Sequence, residues 1–159
     1  MTTINSEKPS GILNPQAGEK KFALTRRTPA QDLGDFVQRY WIVKWDLSAQ
    51  APYLSETLPY PCVNLVFEQS NTRIYGVVNR KFTRLLEGKG QVFGVKFRPG
   101  GFYPFVKAPV SRLTDRSVSF SDVFGCASTP LEEAILPLAD ESRMVALAEA
   151  FLREHLPEP

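Results

Sequence analysis

The segment that most limits the fold is Gly94 to Phe102, GVKFRPGGF, which ends the basic, alternating run GVVNRKFTRLLEGKGQVF of residues 76–93. Alternation of apolar and polar residues gives a strand one buried face and one wet face, the pattern of antiparallel pairing. Pro99-Gly100-Gly101 then forces the chain to turn, because Pro brings no N–H to a ladder and Gly accepts backbone angles closed to other residues. A β-rich unit must therefore close onto the C-terminal third of the chain, and that third reads as helices. Phe102 to Val106 is a short helix ended before Pro109. Ser121 caps a single turn closed by Gly125, and Thr129-Pro130-Leu131-Glu132 reads as a capping box. A last helix starts near Asp140 and stops at Pro157, with Met144, Leu147, Ala148, Phe151 and Leu152 in an apolar stripe.

Upstream, Thr28-Pro29 predicts a helix start running to about Gly34. In YWIVKWDL, Trp41, Val43, Trp45 and Leu47 share one face, and two Trp on that face make it the expected core side. Ala51-Pro52 opens a loop, and LPYP, residues 58–61, is excluded from a central strand. CVNLVFE, residues 62–68, is a strand, as are residues 73–78, 80–86 and 91–97, with a compact hairpin turn at Glu87-Gly88-Lys89-Gly90. Residues 1–27 are polar and Pro/Gly-punctuated, which predicts a loose arm ahead of one domain over 28–159. Strands first and helices last give an α+β fold with a mostly antiparallel sheet or barrel.

The chemistry that is absent narrows the function. The chain has one histidine, His155, in the last turn of the last helix, where a dipole partner is the ordinary reading. One histidine cannot supply a multiple-His metal site, so neither a metal nor another cofactor is expected. There is no nucleophile elbow, no phosphate-binding P-loop and no C-x-x-C. Gly88-Lys89-Gly90 lies in a turn between strands and is no dinucleotide fingerprint. Cys62 and Cys126 read as reduced thiols, Cys62 as a buried one. Glu56, Glu68 and Glu87 lie near strands, but no spacing pairs them for acid–base work. An enzyme is therefore not expected. No apolar run long enough to span a membrane and no secretory signal is found, so the expected location is the cytoplasm.

Net charge is only +2, but it is unevenly spread. Residues 71–116 carry ten basic and two acidic groups, and residues 117–159 carry two basic and eight acidic ones. Either acidic helices complement solvated strand cations, or a basic concavity awaits an anionic ligand. Arg80 and Arg84 share a strand face with Phe82. Inside a barrel they would grip a carboxylate or phosphate; outside it they would only solubilise. Trp41 and Trp45 are core residues or pocket walls. The C-terminal helices are acidic and carry no recognition helix, so direct DNA binding is not expected.

The order RYWIVKWDL, ETLPYPCVNLVFE, RIYGVVNRKFTRLLEGKGQVFGVKFRPGGFYPFV, SRLTDRSV, SDVFG resembles the N-terminal sensor domain of bacterial AraC-type transcriptional regulators over residues 28–151. The resemblance implies a cupin-like β-barrel with trailing helices that binds an effector and moves a tethered DNA-binding domain. That helix-turn-helix region is missing here, so DNA would be a partner only through it. It also implies a homodimer through the stripe of the last helix, although packing on its own sheet explains the stripe equally well. The expected site is Trp41, Tyr75, Arg80, Arg84 and Phe97, with an effector that is anionic if the arginines hold it. The competing readings are a stand-alone small-molecule-binding protein and a metal-free cupin-like enzyme.

Overall fold

The computed structural model describes residues 22–57, 62–76, 82–106 and 116–156. Its strands are β1 (Phe22–Arg27), β2 (Val37–Leu47), β3 (Tyr53–Thr57), β4 (Asn64–Phe67), β5 (Arg73–Tyr75), β6 (Phe82–Leu86), β7 (Gly88–Phe97) and β8 (Ser117–Ser119). Its α-helices are α1 (Tyr103–Val106), α2 (Phe120–Phe124), α3 (Thr129–Ile135) and α4 (Glu141–His155), and a 3-10 turn covers Gln31–Leu33. Six strands form one sheet in the order β1-β2-β7-β4-β5-β8, and β3 pairs with β6 in a separate ribbon. Every pairing is antiparallel. The class is α+β, as the order of elements predicts. Hydrogen bonding among the described residues leaves two sheets and does not close a barrel.

Register decides which side of the large sheet is the core. Tyr40, Val95, Leu65, Ile74 and Val118 lie in one line across β2, β7, β4, β5 and β8. Ile42, Phe93 and Phe67 form the next line. Residues in line across strands share a face. This face is buried against Phe102, Phe105, Phe120, Ile135, Met144, Ala148 and Leu152 from the turn and helices. Each such side chain contributes about 1.5–3 kcal/mol by leaving water, so this helix-covered face stabilises the fold.

Three acidic side chains fasten the helices to the sheet side. Glu141 accepts from Thr25 Oγ1 at 3.0 Å and pairs with Arg27 at 3.3 Å and Lys44 at 3.2 Å. Glu149 accepts from the Ala30 N–H at 2.8 Å and the Tyr40 hydroxyl at 2.9 Å. Glu132 accepts from Thr72 Oγ1 at 2.6 Å and the Ser70 N–H at 3.1 Å. All three are buried, and no buried polar side-chain atom among the described residues lacks a partner.

The fold departs from several expectations. The predicted arm over residues 1–27 contains β1 at its end, because Phe22–Arg27 completes the ladder of β2; residues 1–21 lie outside the described residues. The helix expected from Thr28 is the single 3-10 turn after Ala30. The Trp face of β2 is not the core face: Tyr40 and Ile42 are fully buried, whereas Trp41 and Trp45 are half-buried on the other side. The stretch after Pro52 holds β3. Glu87 to Gly90 is no hairpin turn, because β6 pairs with β3 and β7 pairs with β2 and β4. The chain instead passes from ribbon to sheet there, through Gly88 at φ 59°. Ser119, not Ser121, caps α2. Glu132 does not close a capping box, since its carboxylate reaches Thr72, and no side-chain cap bond is made at Ser128. The stripe of α4 is spent inside the molecule: Met144, Ala148 and Leu152 join the core and Leu147 alone of the five is exposed. Packing on its own molecule accounts for most of the stripe, and nothing in this arrangement supports the expected homodimer.

Candidate functional site

The opposite face of the sheet carries polar and aromatic groups in two adjacent lines. One line runs Arg39, Lys96, Asn64, Tyr75 and Ser117 across β2, β7, β4, β5 and β8. The next runs Arg26, Trp41, Gly94, Val66, Arg73 and Ser119 from β1 to β8. Asn64 and Val66 are buried although the helices lie on the far side, so this face is itself partly covered. The ribbon meets it at one end. There, the Phe22 and Tyr53 rings lie 6.3 Å apart, and Trp45 Nε1 donates to the Glu87 carbonyl at 3.0 Å.

Two tryptophan–glycine pairs shape the floor. A Cβ on Gly94 would stand 1.9 Å from Trp41 Cε2, and one on Gly90 would stand 2.7 Å from Trp45 Cζ2. Only glycine lets each indole cross its neighbouring strand so closely. Trp41 continues across β7 to β4, where Nε1 donates to Asn64 Oδ1 at 2.9 Å. The ring is thereby fixed over the centre of the sheet.

The electrostatics of this face are basic. Arg39 and Lys96 are register partners, and Arg26 stands beside Trp41. Burial holds the Lys96 ammonium below the usual lysine range; the Cys62 thiol works against that shift, while Arg39 and Arg26 add to it. Cys62 is buried with Sγ 3.8 Å from Gln38 Oε1, and both cysteines are free thiols.

Of the expected site residues, Trp41 and Tyr75 come to this one face, on strands three spacings or about 14 Å apart. Phe97 does not join them. It is fully buried on the core side, 4.9 Å from the Phe102 ring and 5.5 Å from that of Phe105, and it offers no surface to a ligand. Arg80 lies outside the described residues. Arg84 pairs with Ser55 in the ribbon, and its side chain lies outside the described residues. Sequence reasoning missed Asn64, Lys96, Arg39 and Arg26. Alternation places Asn64 with Val66 and Lys96 with Gly94, so shared faces were available from the sequence; which face meets the helices was not.

Elsewhere, His155 Nδ1 sits 2.9 Å from the Phe151 carbonyl, with its ring against Phe151 and Phe124, a helix-end role. A shallow hollow of about 340 Å³ lies by Thr72, Ser119, Ser121, Cys126, Ser128 and Thr129, with no charged side chain among the described residues that line it. Among the described residues no three metal-ligating side chains gather, and no helix is long and apolar enough to cross a membrane.

A family model described as "Domain of unknown function (DUF6597)" matches residues 25–119. The match takes in both lines of the polar face and ends ahead of α2. No curated protein and no solved structure matches the chain.

Proposed function

The chain belongs to the DUF6597 family, and from that premise we propose that it is the effector-sensing domain of an AraC-type transcriptional regulator. In this reading the six-stranded sheet and the β3–β6 ribbon are the walls of a cupin-like cup, and the effector lies on the Trp41–Asn64–Lys96 face. The domain does no chemistry of its own.

One observation carries the reading: two of the strands that present this face, β1 and β2, are the ones gripped by the last helix. On β1, Arg26 faces the site while Thr25 and Arg27 hold Glu141. On β2, Trp41 faces the site while Tyr40 holds Glu149. An effector that prefers one setting of β1 and β2 would change how α4 sits, and a ligand shifts an equilibrium only through such differential contacts. A DNA-binding domain tethered beyond α4 would receive that change.

Native mass spectrometry of the protein purified from its own host tests the reading. A retained small molecule, lost when Trp41 is replaced by Leu in a chain that still folds, is the expected result. A protein that carries nothing in repeated preparations, from a full-length gene that encodes no helix-turn-helix, would overturn it. A retained molecule with no DNA-binding domain in the gene would instead favour a stand-alone binding protein.

A further inference from the structure

We propose that the β3–β6 ribbon sets the seat of α4 through Gln91, a positioning residue near the start of β7 whose side-chain amide holds the segment between α3 and α4. This rests on the sensor reading and deepens it, naming the route from one wall of the cup to the helix that would carry the signal.

The route begins where ribbon becomes sheet. β6 ends at Leu86 and β7 begins at Gly88, so Glu87 alone separates them. The chain has little freedom there. Trp45 Nε1 donates to the Glu87 carbonyl at 3.0 Å, and the same indole crosses Gly90 so closely that a Cβ there would stand 2.7 Å from Cζ2. Gly88, Lys89, Gly90 and Gln91 are in register with Leu47, Asp46, Trp45 and Lys44 of β2. The crossing is thus pinned to β2 by a ladder and by one indole.

Gln91 follows Gly90 and, by alternation, turns to the other face. That is the helix face. Gln91 lies two residues from Phe93, and its register partner Lys44 lies two from Ile42, both fully buried there. The Gln91 amide donates to the Leu136 carbonyl and, at 2.8 Å, to that of Leu138. Lys44 donates to the Ala139 carbonyl at 3.5 Å and pairs with Glu141, the first residue of α4, at 3.2 Å. Carbonyls at the end of a helix have no partner within it, and Gln91 supplies one at the end of α3. Pro137 sits between the two carbonyls that Gln91 holds and fixes φ there, which stiffens the segment. A strand has one backbone for both faces. A shift of the ribbon that turns residues 87–90 therefore turns Gln91, and the stiff segment passes the movement to the start of α4. Contiguous hydrogen bonds on rigid elements are the physical basis of such coupling.

The test is a double-mutant cycle on the whole chain, read by hydrogen exchange at Leu138, Arg143 and Met144, whose N–H groups bond the Ile135 and Asp140 carbonyls. Trp45→Phe keeps a ring over Gly90 and removes the bond to Glu87. Gln91→Leu removes the hold on the segment. Each should speed exchange at these three amides about five-fold, the size of one hydrogen bond. The double variant should exchange no faster than Gln91→Leu alone, because the ribbon then has no grip left to lose. Unchanged exchange there in Trp45→Phe would overturn the proposal, and so would effects that multiply in the double variant. Equal acceleration at the amides of β5, which touches neither site, would mean a general loss of stability and would overturn it as well. If Gln91→Leu does not fold, Lys44→Met takes its place in the cycle with the same outcomes. No effector enters this experiment, so its failure would end the route and leave the sensor reading to native mass spectrometry. A gene without a helix-turn-helix would remove the sensor reading and leave the measured coupling intact.

Discussion

Trp41 and Gly94 act as one unit, and the absence of a Cβ is what the pair depends on. Gly94→Ala would place a methyl 1.9 Å from the indole, in a spot framed by backbone and by the Asn64 bond. Such overpacking costs typically about 1–3 kcal/mol. Urea denaturation should show that loss, with a shifted Trp emission. In a Trp41→Ala background the same substitution should cost much less, since the clash is gone; an unchanged penalty would locate the strain elsewhere. Neither residue announces this pairing in sequence. Gly94 reads as a gap in a good strand and Trp41 as a core anchor. Only register, which sets them opposite each other, converts the two readings into a platform.

At the scale of elements, the decisive contact is between α4 and the β1–β2 pair. Glu141 is 2 % exposed at its side chain, and its partners Arg27 and Lys44 are each 37 % exposed. Breaking a wholly buried ion pair costs about 3–5 kcal/mol. Solvent at the two cations screens part of that, so Glu141→Ala should cost about 2 kcal/mol. The expected result is a lower urea midpoint with an unchanged m-value. Hydrogen exchange should rise first in α4, and a uniform rise across the sheet would mean that α4 is not a separately docked unit. The charge division of the sequence anticipates acidic helices against basic strands, but not this pairing. Glu141, Glu149 and Glu132 look like ordinary solvated acids on their helices, and their partners Thr25, Tyr40 and Thr72 lie at least 60 positions away in the chain.

At the scale of the whole molecule, one sheet serves two purposes because its two faces are separately occupied. Helices cover the aromatic face, and the polar face looks toward the ribbon. Removing residues 140–159 would strip Met144, Ala148 and Leu152 from the core and leave Thr25, Arg27 and Tyr40 without their carboxylates. That truncation should lose cooperative unfolding and bind a dye for exposed apolar surface; a sharp, native-like transition would mean the sheet folds without α4. The sequence by itself determined the period of β2, β4, β5 and β7, the stop at Pro99-Gly100-Gly101, the close of α2 at Gly125, the start of α4 at Asp140 and the α+β class. Those features arise from local backbone chemistry and from side chains a few positions apart. It also determined which residues share a face, as Asn64 does with Val66 and Lys96 with Gly94. The tertiary structure alone decided which face is core, that β7 leaves β6 to join β2 and β4, and that Phe97 is interior while Trp41 is not. The physical reason is that alternation is symmetric: it assigns two faces to a strand, and only contacts between distant segments decide which face is buried under the helices.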